Sequence, residues 1–189
     1  MAQVHIPDDQ AHDPFGFALT HYAPELGAAG GGYAKAVYQS SRLPLRVLEA
    51  ARYRTAEING CQVCQGFRAA TDVDGLLDLM GGDPSRSIVA RGGPAPDEAF
   101  YGDVAGWRTA TRFSDQERLA IEYAERMGEQ PKSFESDLVF WQRMHAAFSD
   151  AEIVDLTLAI GAWIGLGRVT HVLELDTVCA RDTYARASA

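Results

Sequence analysis

Apolar residues recur at helical spacing along most of the chain, and no strand-hairpin signature competes with them. After Leu43-Pro44, residues Leu45, Leu48, Glu49, Arg52 and Ala56 share one stripe, and the run should end at Asn59-Gly60, a dipeptide that favours positive φ. That stripe carries Glu49 onto a face otherwise packed. The chain then restarts as a helix at Cys61. Upstream, the pattern predicts a helix over Pro24 to Ser40, with Pro24 in its first turn and Tyr33, Val37 and Tyr38 at helical spacing. Gly30, Gly31 and Gly32 should interrupt that helix or delay its start, because glycine is entropically costly in a helix interior.

Two capping boxes, Ser114-Asp-Gln-Glu117 and Ser149-Asp-Ala-Glu152, mark later helix starts. The first introduces Ala120, Tyr123, Ala124 and Met127 at helical spacing, with a stop at Gly128; the second opens the apolar run Ile153 to Leu166. Between them Leu138, Trp141, Met144, His145 and Phe148 form another stripe, and after Gly165 and Gly167 a short terminal helix is expected over Arg168 to Leu175. From Thr71 to Arg112, seven glycines and three prolines leave room only for short helical pieces around Leu76 to Met80 and Glu98 to Tyr101. A lid, an interface arm and a plain connection are all open for that segment. Residues 1–23 are polar and lack a clear period, which reads as an N-terminal arm or irregular lead-in; residues 24–189 then form a single all-helical domain. The fold class is all-α.

Composition narrows the setting. With 189 residues, 47% of them hydrophobic, the chain can build a full core without disulfide staples. Its formal charge of -9 is opposite in sign to a nucleic-acid footprint, so neither nucleic acid nor an anionic membrane surface is expected as a partner. The N-terminal MAQVHIPDDQAHDPFGF has no basic segment followed by an apolar run of signal length, and the expected compartment is the cytoplasm. Ile153 to Leu166 is 14 residues long and contains Asp155, short of the roughly 20 apolar residues of a membrane span, so it reads as a buried core helix. No Gly-rich phosphate loop sits in a βαβ setting, and no cofactor is indicated.

Cys61-Gln62-Val63-Cys64 carries the chemistry. Helical spacing puts both thiols on one face, within reach of a disulfide or a shared redox cycle. Their place at a helix start favours the thiolate, the form that attacks peroxides and disulfides. Two buried structural cysteines are the bland alternative. A zinc site lacks ligands: there is no second cysteine pair, Cys179 stands alone and the five histidines are scattered, so no metal is expected. A thioredoxin fold is disfavoured because a helical stripe, not a βαβ unit, precedes the motif. Arg68, four residues after Cys64, should share the cysteine face and lower thiolate pKa by charge; otherwise it is a solvated helix arginine. Glu49, twelve residues before Cys61, is otherwise a half-exposed carboxylate or a partner for Arg52.

Glu49, then Ala56-Glu57-Ile58-Asn59-Gly60-Cys61-Gln62-Val63-Cys64, then Arg68 resembles the core motif of the alkylhydroperoxidase D and carboxymuconolactone decarboxylase superfamily. FSDQERLAIEYAERM and FSDAEIVDLTLAIGAWIGLGR are similar to the family's later helices, so the resemblance covers roughly Pro24 to Leu175. It implies an oligomeric all-helical fold, a homotrimer or trimer-based hexamer, in which Cys64 attacks peroxide, Cys61 resolves and Glu49 belongs to a proton relay. The family relay usually places a histidine where this chain has Arg68. Arginine stays protonated and can neither take nor return a proton, so Arg68 activates by charge only, and an ion pair with Glu49 is expected if both approach the cysteines.

The resulting expectation is a CxxC thiol-disulfide oxidoreductase with weakened hydroperoxidase activity, using a hydroperoxide or disulfide substrate and a thiol electron donor, in which Arg68→His raises hydroperoxide turnover. The alternatives are a lactone decarboxylase-like lyase, against which the cysteine pair argues, and a non-enzymatic oligomer. His145 or His171 can replace the missing base if the fold brings either to Cys64. Trp107, Trp141 and Trp163 with Tyr33, Tyr38 and Tyr123 exceed what one small core must hold; core and interface use are both open from sequence, and the family resemblance favours the interface.

Overall fold

The computed structural model describes residues 2–176, which form helices and turns with no strand among them. In chain order the helices are α1 (Pro14–Tyr22), α2 (Pro24–Ser40), α3 (Leu45–Asn59), α4 (Gln62–Gly66), α5 (Ala69–Leu79), α6 (Glu98–Asp103), α7 (Asp115–Glu129), α8 (Leu138–Ala147) and α9 (Asp150–Val172). The all-α reading holds.

Helix α3 is the axis of the molecule, packed along α7 and α9. Its stripe is buried as expected: Leu45, Leu48, Glu49, Arg52 and Ala56 are all inside, and Leu48 and Glu49 are fully covered. Both capping boxes form, with Ser114 and Ser149 each accepting the N–H of the glutamate three residues on while that glutamate returns to the serine N–H. Satisfying otherwise orphaned donors in this way fixes where α7 and α9 begin.

Four expectations change. Residues 14–22 are helical rather than an irregular lead-in, because Asp13 caps the Gly16 N–H and Pro14 occupies the first turn, where its missing N–H costs nothing. Helix α2 runs unbroken through Gly30 to Gly32, its end anchored by buried Val37 and Tyr38. Helix α9 likewise does not stop at Gly165 or Gly167. It continues for 23 residues, and Gly167 lets it approach α3 closely: a Cβ there would lie 2.6 Å from the Asn59 Nδ2. By length and composition α9 could therefore cross a bilayer, which removes the length argument made from Ile153 to Leu166. Its packing against α2, α3, α7 and α8 makes it a core helix here, with Leu156, Ala159 and Ile160 buried. On α8 the buried positions are Phe140 and Met144, whereas Leu138 faces outward.

The aromatic residues also go mostly inside. Trp107, Tyr38 and Tyr123 are buried, Trp141 joins a ring cluster with Tyr123, Phe134 and Phe140, and only Tyr33 of the six is exposed. The Gly/Pro-rich segment builds a second core: Phe100, Tyr101, Val104 and Trp107 pack with Phe113, Ala50 and Ile121. It thus presses α6 against the middle of α3.

Candidate functional site

The end of α3 delivers the cysteine pair. Gly60 takes a left-handed conformation, φ 69°, and turns the chain so that the Cys61 N–H donates to the Ala56 carbonyl at 3.2 Å. Cys61 caps α4, its Sγ accepting the Cys64 N–H at 3.2 Å. The two cysteines form a disulfide with Cα atoms 5.3 Å apart. Cys61 is fully buried, whereas Cys64 is half-buried and borders a cavity.

Helix α4 has only five residues and is too short to stand alone, so its far end is held by side chains. Arg52 donates to the Cys64 carbonyl at 2.5 Å and the Phe67 carbonyl at 2.9 Å. Arg68 donates to the Gln65 carbonyl at 2.5 Å and the Phe67 carbonyl at 3.0 Å. Two guanidinium groups thus satisfy the carbonyls that a helix end leaves open.

Beneath them lies a buried network. Glu49 receives a two-point fork from Arg52, the hydroxyl of Tyr101 at 2.6 Å and the backbone N–H of Ala69 at 3.2 Å. Burial works against the Arg52 charge, but the Glu49 carboxylate outweighs it and holds the guanidinium above its ordinary pKa. Burial and the Glu49 charge push the Tyr101 phenol far up, so it stays a neutral donor. Arg68 belongs to a second fork with Glu98, at 2.9 Å through both nitrogens, and its guanidinium lies 4.0 Å from the Tyr101 ring centroid. The hydrogen bonds it donates to the Glu98 carboxylate raise its pKa.

This geometry corrects the expected Glu49–Arg68 ion pair. The helix carrying the cysteines stops at Gly66, Phe67 and Arg68 are extended, and Arg68 caps the start of α5 with its N–H on Asp72 at 2.7 Å. Arg68 therefore does not share the cysteines' helical face. Glu49 takes the other partner open to it by spacing, Arg52. Tyr101 and Glu98 were not legible as site residues. They lie in the Gly/Pro-rich segment, about 30 to 52 positions from the groups they touch, with no local periodicity to announce them.

Neither histidine takes a demonstrated place at the sulfurs. His145 is exposed and lies 3.3 Å from Asp150. His171 lies nearer the motif: its ring is where a Cβ on Gly60 would fall, 3.1 Å away, and its Nδ1 is 3.3 Å from Asp176, whose carboxylate also accepts the Gln62 N–H. Cys179 lies outside the described residues.

The cavity beside Cys64 measures about 140 Å³ and is almost wholly apolar, walled by Tyr38, Val63, Phe67 and Leu166. Trp163 lines it, and its Nε1–H is the one buried side-chain polar atom without a hydrogen-bond partner among the described residues. Phe15, Leu76 and Met80 also wall a second, open cavity of about 430 Å³ that runs between α1, α2 and α5 past Lys35.

Neither a scan against protein-family models nor a search of curated proteins finds a match to this chain. Among solved structures it is similar to that of ATU0492 from Agrobacterium tumefaciens, a protein of unknown function described as a candidate AhpD antioxidant defence protein. The two chains share 25% identity over 82% of this chain and 92% of the other, with a TM-score of 0.60.

Proposed function

The chain resembles the alkylhydroperoxidase D-like superfamily in both motif and fold, and from that premise we propose that it is a CxxC thiol-disulfide oxidoreductase with peroxide-reducing activity. The observation that carries this reading is the asymmetry of the pair. Cys64 opens onto an apolar cavity while Cys61 is sealed behind it, which suits Cys64 to attack and Cys61 to resolve.

The reaction balances as follows. The Cys64 thiolate attacks one oxygen of a hydroperoxide, the O–O bond breaks, and the alkoxide leaves as an alcohol with one proton. Cys61 then attacks the sulfenic sulfur, forming the disulfide and releasing water. Two thiols are oxidised and one hydroperoxide is reduced; a thiol donor later returns the pair to the reduced state. With a disulfide as oxidant, two thiols of the substrate leave instead.

The Glu49–Arg52–Tyr101 network serves chiefly as the rigid seat of α4, since all of Glu49's strong partners are donors already in place. Arg68 likewise holds the α4 carbonyl end and contributes positive charge near the pair, but no exchangeable proton at neutral pH. Peroxide reduction therefore depends on another proton source for the alkoxide, and thiol-disulfide exchange is the less demanding reaction. Assembly into a homotrimer or trimer-based hexamer in the cytoplasm belongs to the same reading. Apolar residues left outside on α2 and α9, including Leu26, Val154, Leu158 and Val172, support an interface there.

The test is to reduce the protein, expose it separately to an organic hydroperoxide and to a small disulfide, and follow the Cys61–Cys64 disulfide by mass spectrometry from about pH 5 to 9. Oxidation by both supports the full reading; oxidation by the disulfide alone restricts it to exchange. Oxidation by neither leaves a structural pair. Arg68→His is expected to raise hydroperoxide turnover, and an unchanged rate in a folded variant would count against the proton-supply argument.

A further inference from the structure

Arg68 leaves the alkoxide of the proposed reaction without a proton donor, and the walls of the cavity beside Cys64 contain one. The cavity's volume of about 140 Å³ is the room of about five waters at about 30 Å³ each, so one small substrate touches Cys64 and the facing walls together. The lining groups that carry a proton on nitrogen or oxygen are the Tyr38 phenol, the Arg52 guanidinium, the Asn59 amide, the Trp163 indole and the Thr170 hydroxyl. Arg52 is held protonated by Glu49, amide and indole N–H groups donate hydrogen bonds without ionising, and the Thr170 hydroxyl is already on the Leu166 carbonyl at 2.8 Å. A phenol is different. Its ordinary pKa is about 10, whereas an alkoxide is nearly as basic as hydroxide, whose conjugate acid has a pKa of about 15.7, so the proton moves downhill.

Packing holds Tyr38 beside the cysteine. It lies near the end of α2, 5% exposed, with its ring on Phe67 and centroids 5.6 Å apart. The Arg52 guanidinium lies 5.2 Å from the same Phe67 ring while it donates to the Cys64 carbonyl at 2.5 Å. Tyr38 is also one of the groups that hold the Arg52 charge in place, which puts the phenolic oxygen on the Arg52 side of the ring. A guanidinium so placed stabilises the phenolate that proton transfer leaves behind.

We infer that Tyr38 is a catalytic residue of this site, the acid that gives its phenolic proton to the alkoxide leaving from Cys64. The inference rests on the proposed peroxide reduction. The Cys64 thiolate takes the hydroxyl end of the hydroperoxide, forming an S–O bond as the O–O bond breaks. The phenolic O–H bond then breaks, the alkoxide leaves as the alcohol, and the tyrosinate takes a proton back from solvent, to which half-buried Cys64 opens. No further oxidant or reductant enters this step. A phenol gives up such a proton but is no base for the Cys64 thiol at neutral pH, so Arg68→His still adds a group that the site lacks.

Leaving-group basicity separates this role from packing. The reduced protein is oxidised in a single turnover by cumene hydroperoxide, by peracetic acid and by a small aromatic disulfide, and loss of the free Cys64 thiol is read by mass spectrometry. The first oxidant releases an alkoxide that needs a proton, whereas acetate and an aromatic thiolate leave without one. Tyr38→Phe keeps the ring on Phe67 and should slow the hydroperoxide reaction about 100-fold while leaving the other two within about threefold. Tyr38→His, which returns an exchangeable proton to the same wall, should recover about tenfold of that loss. Tyr123→Phe removes a buried phenol that bonds Thr157 outside the cavity and should change none of the three rates. Equal slowing with all three oxidants, an unchanged hydroperoxide rate, or no recovery with histidine overturns the role of Tyr38 and leaves the peroxidase reading standing. Wild-type protein that the disulfide oxidises and the hydroperoxide does not would discard the peroxidase reading, and the role of Tyr38 with it.

Discussion

Two arginine–glutamate forks hold the same end of the short helix α4, both arginines donating to the Phe67 carbonyl, and differ mainly in their contact with water. Arg52 and Glu49 are sealed, with side chains 3% and 0% exposed, whereas Arg68 is 14% and Glu98 70% exposed. Both arginines reach carbonyls at the end of α4, and both lie near Tyr101. The inner fork cannot be resolvated if one member is lost, so it is a structural commitment. The outer fork can exchange its carboxylate for water and keep its carbonyl bonds.

Glu49→Gln is the severest test of this contrast. It should strand the Arg52 charge and cost about 3–5 kcal/mol in urea unfolding, while Glu49→Gln combined with Arg52→Met should be less damaging than the single change. A loss near 1 kcal/mol for the single change would mean that water reaches the inner fork. Tyr101→Phe removes one hydrogen bond to a buried carboxylate and should cost about 1.5–3 kcal/mol. Because the ring that Arg68 lies over is retained, the Arg68–Glu98 fork should be left in place. Glu98→Gln should cost under about 1 kcal/mol, because its carboxylate is already largely in water. Raising salt to about 1 M should remove even that small difference and leave the Glu49→Gln penalty nearly unchanged.

Sequence spacing found the inner fork's carboxylate and offered its true partner, since Glu49 and Arg52 are one helical turn apart on a buried stripe. It placed the cysteines at the start of a helix after a left-handed Gly60, as observed. It failed at Arg68 because counting four residues from Cys64 assumed a continuous helix, and the chain is extended at Phe67 and Arg68. Open carbonyls at the end of α4 then recruit Arg68, and Glu98 from α6 completes its fork. Glycine was misread in the same way. Local entropy argued for breaks at Gly30 to Gly32 and at Gly167, whereas packing of α2 and α9 into the core kept both helices whole.

The sequence by itself determined the all-α class, the starts of α7 and α9, the end of α3, the burial of its stripe and the CxxC pair at the next helix start. Each of these follows from interactions within a few residues: capping, turn chemistry or helical periodicity. Only the tertiary structure decided which carboxylate each arginine meets, that Tyr101 binds Glu49, and that Cys64 borders an apolar cavity also lined by Trp163. Those contacts join α3, α4, α6 and α9 across long stretches of chain, and their geometry is set by how the helices pack, which no local pattern encodes.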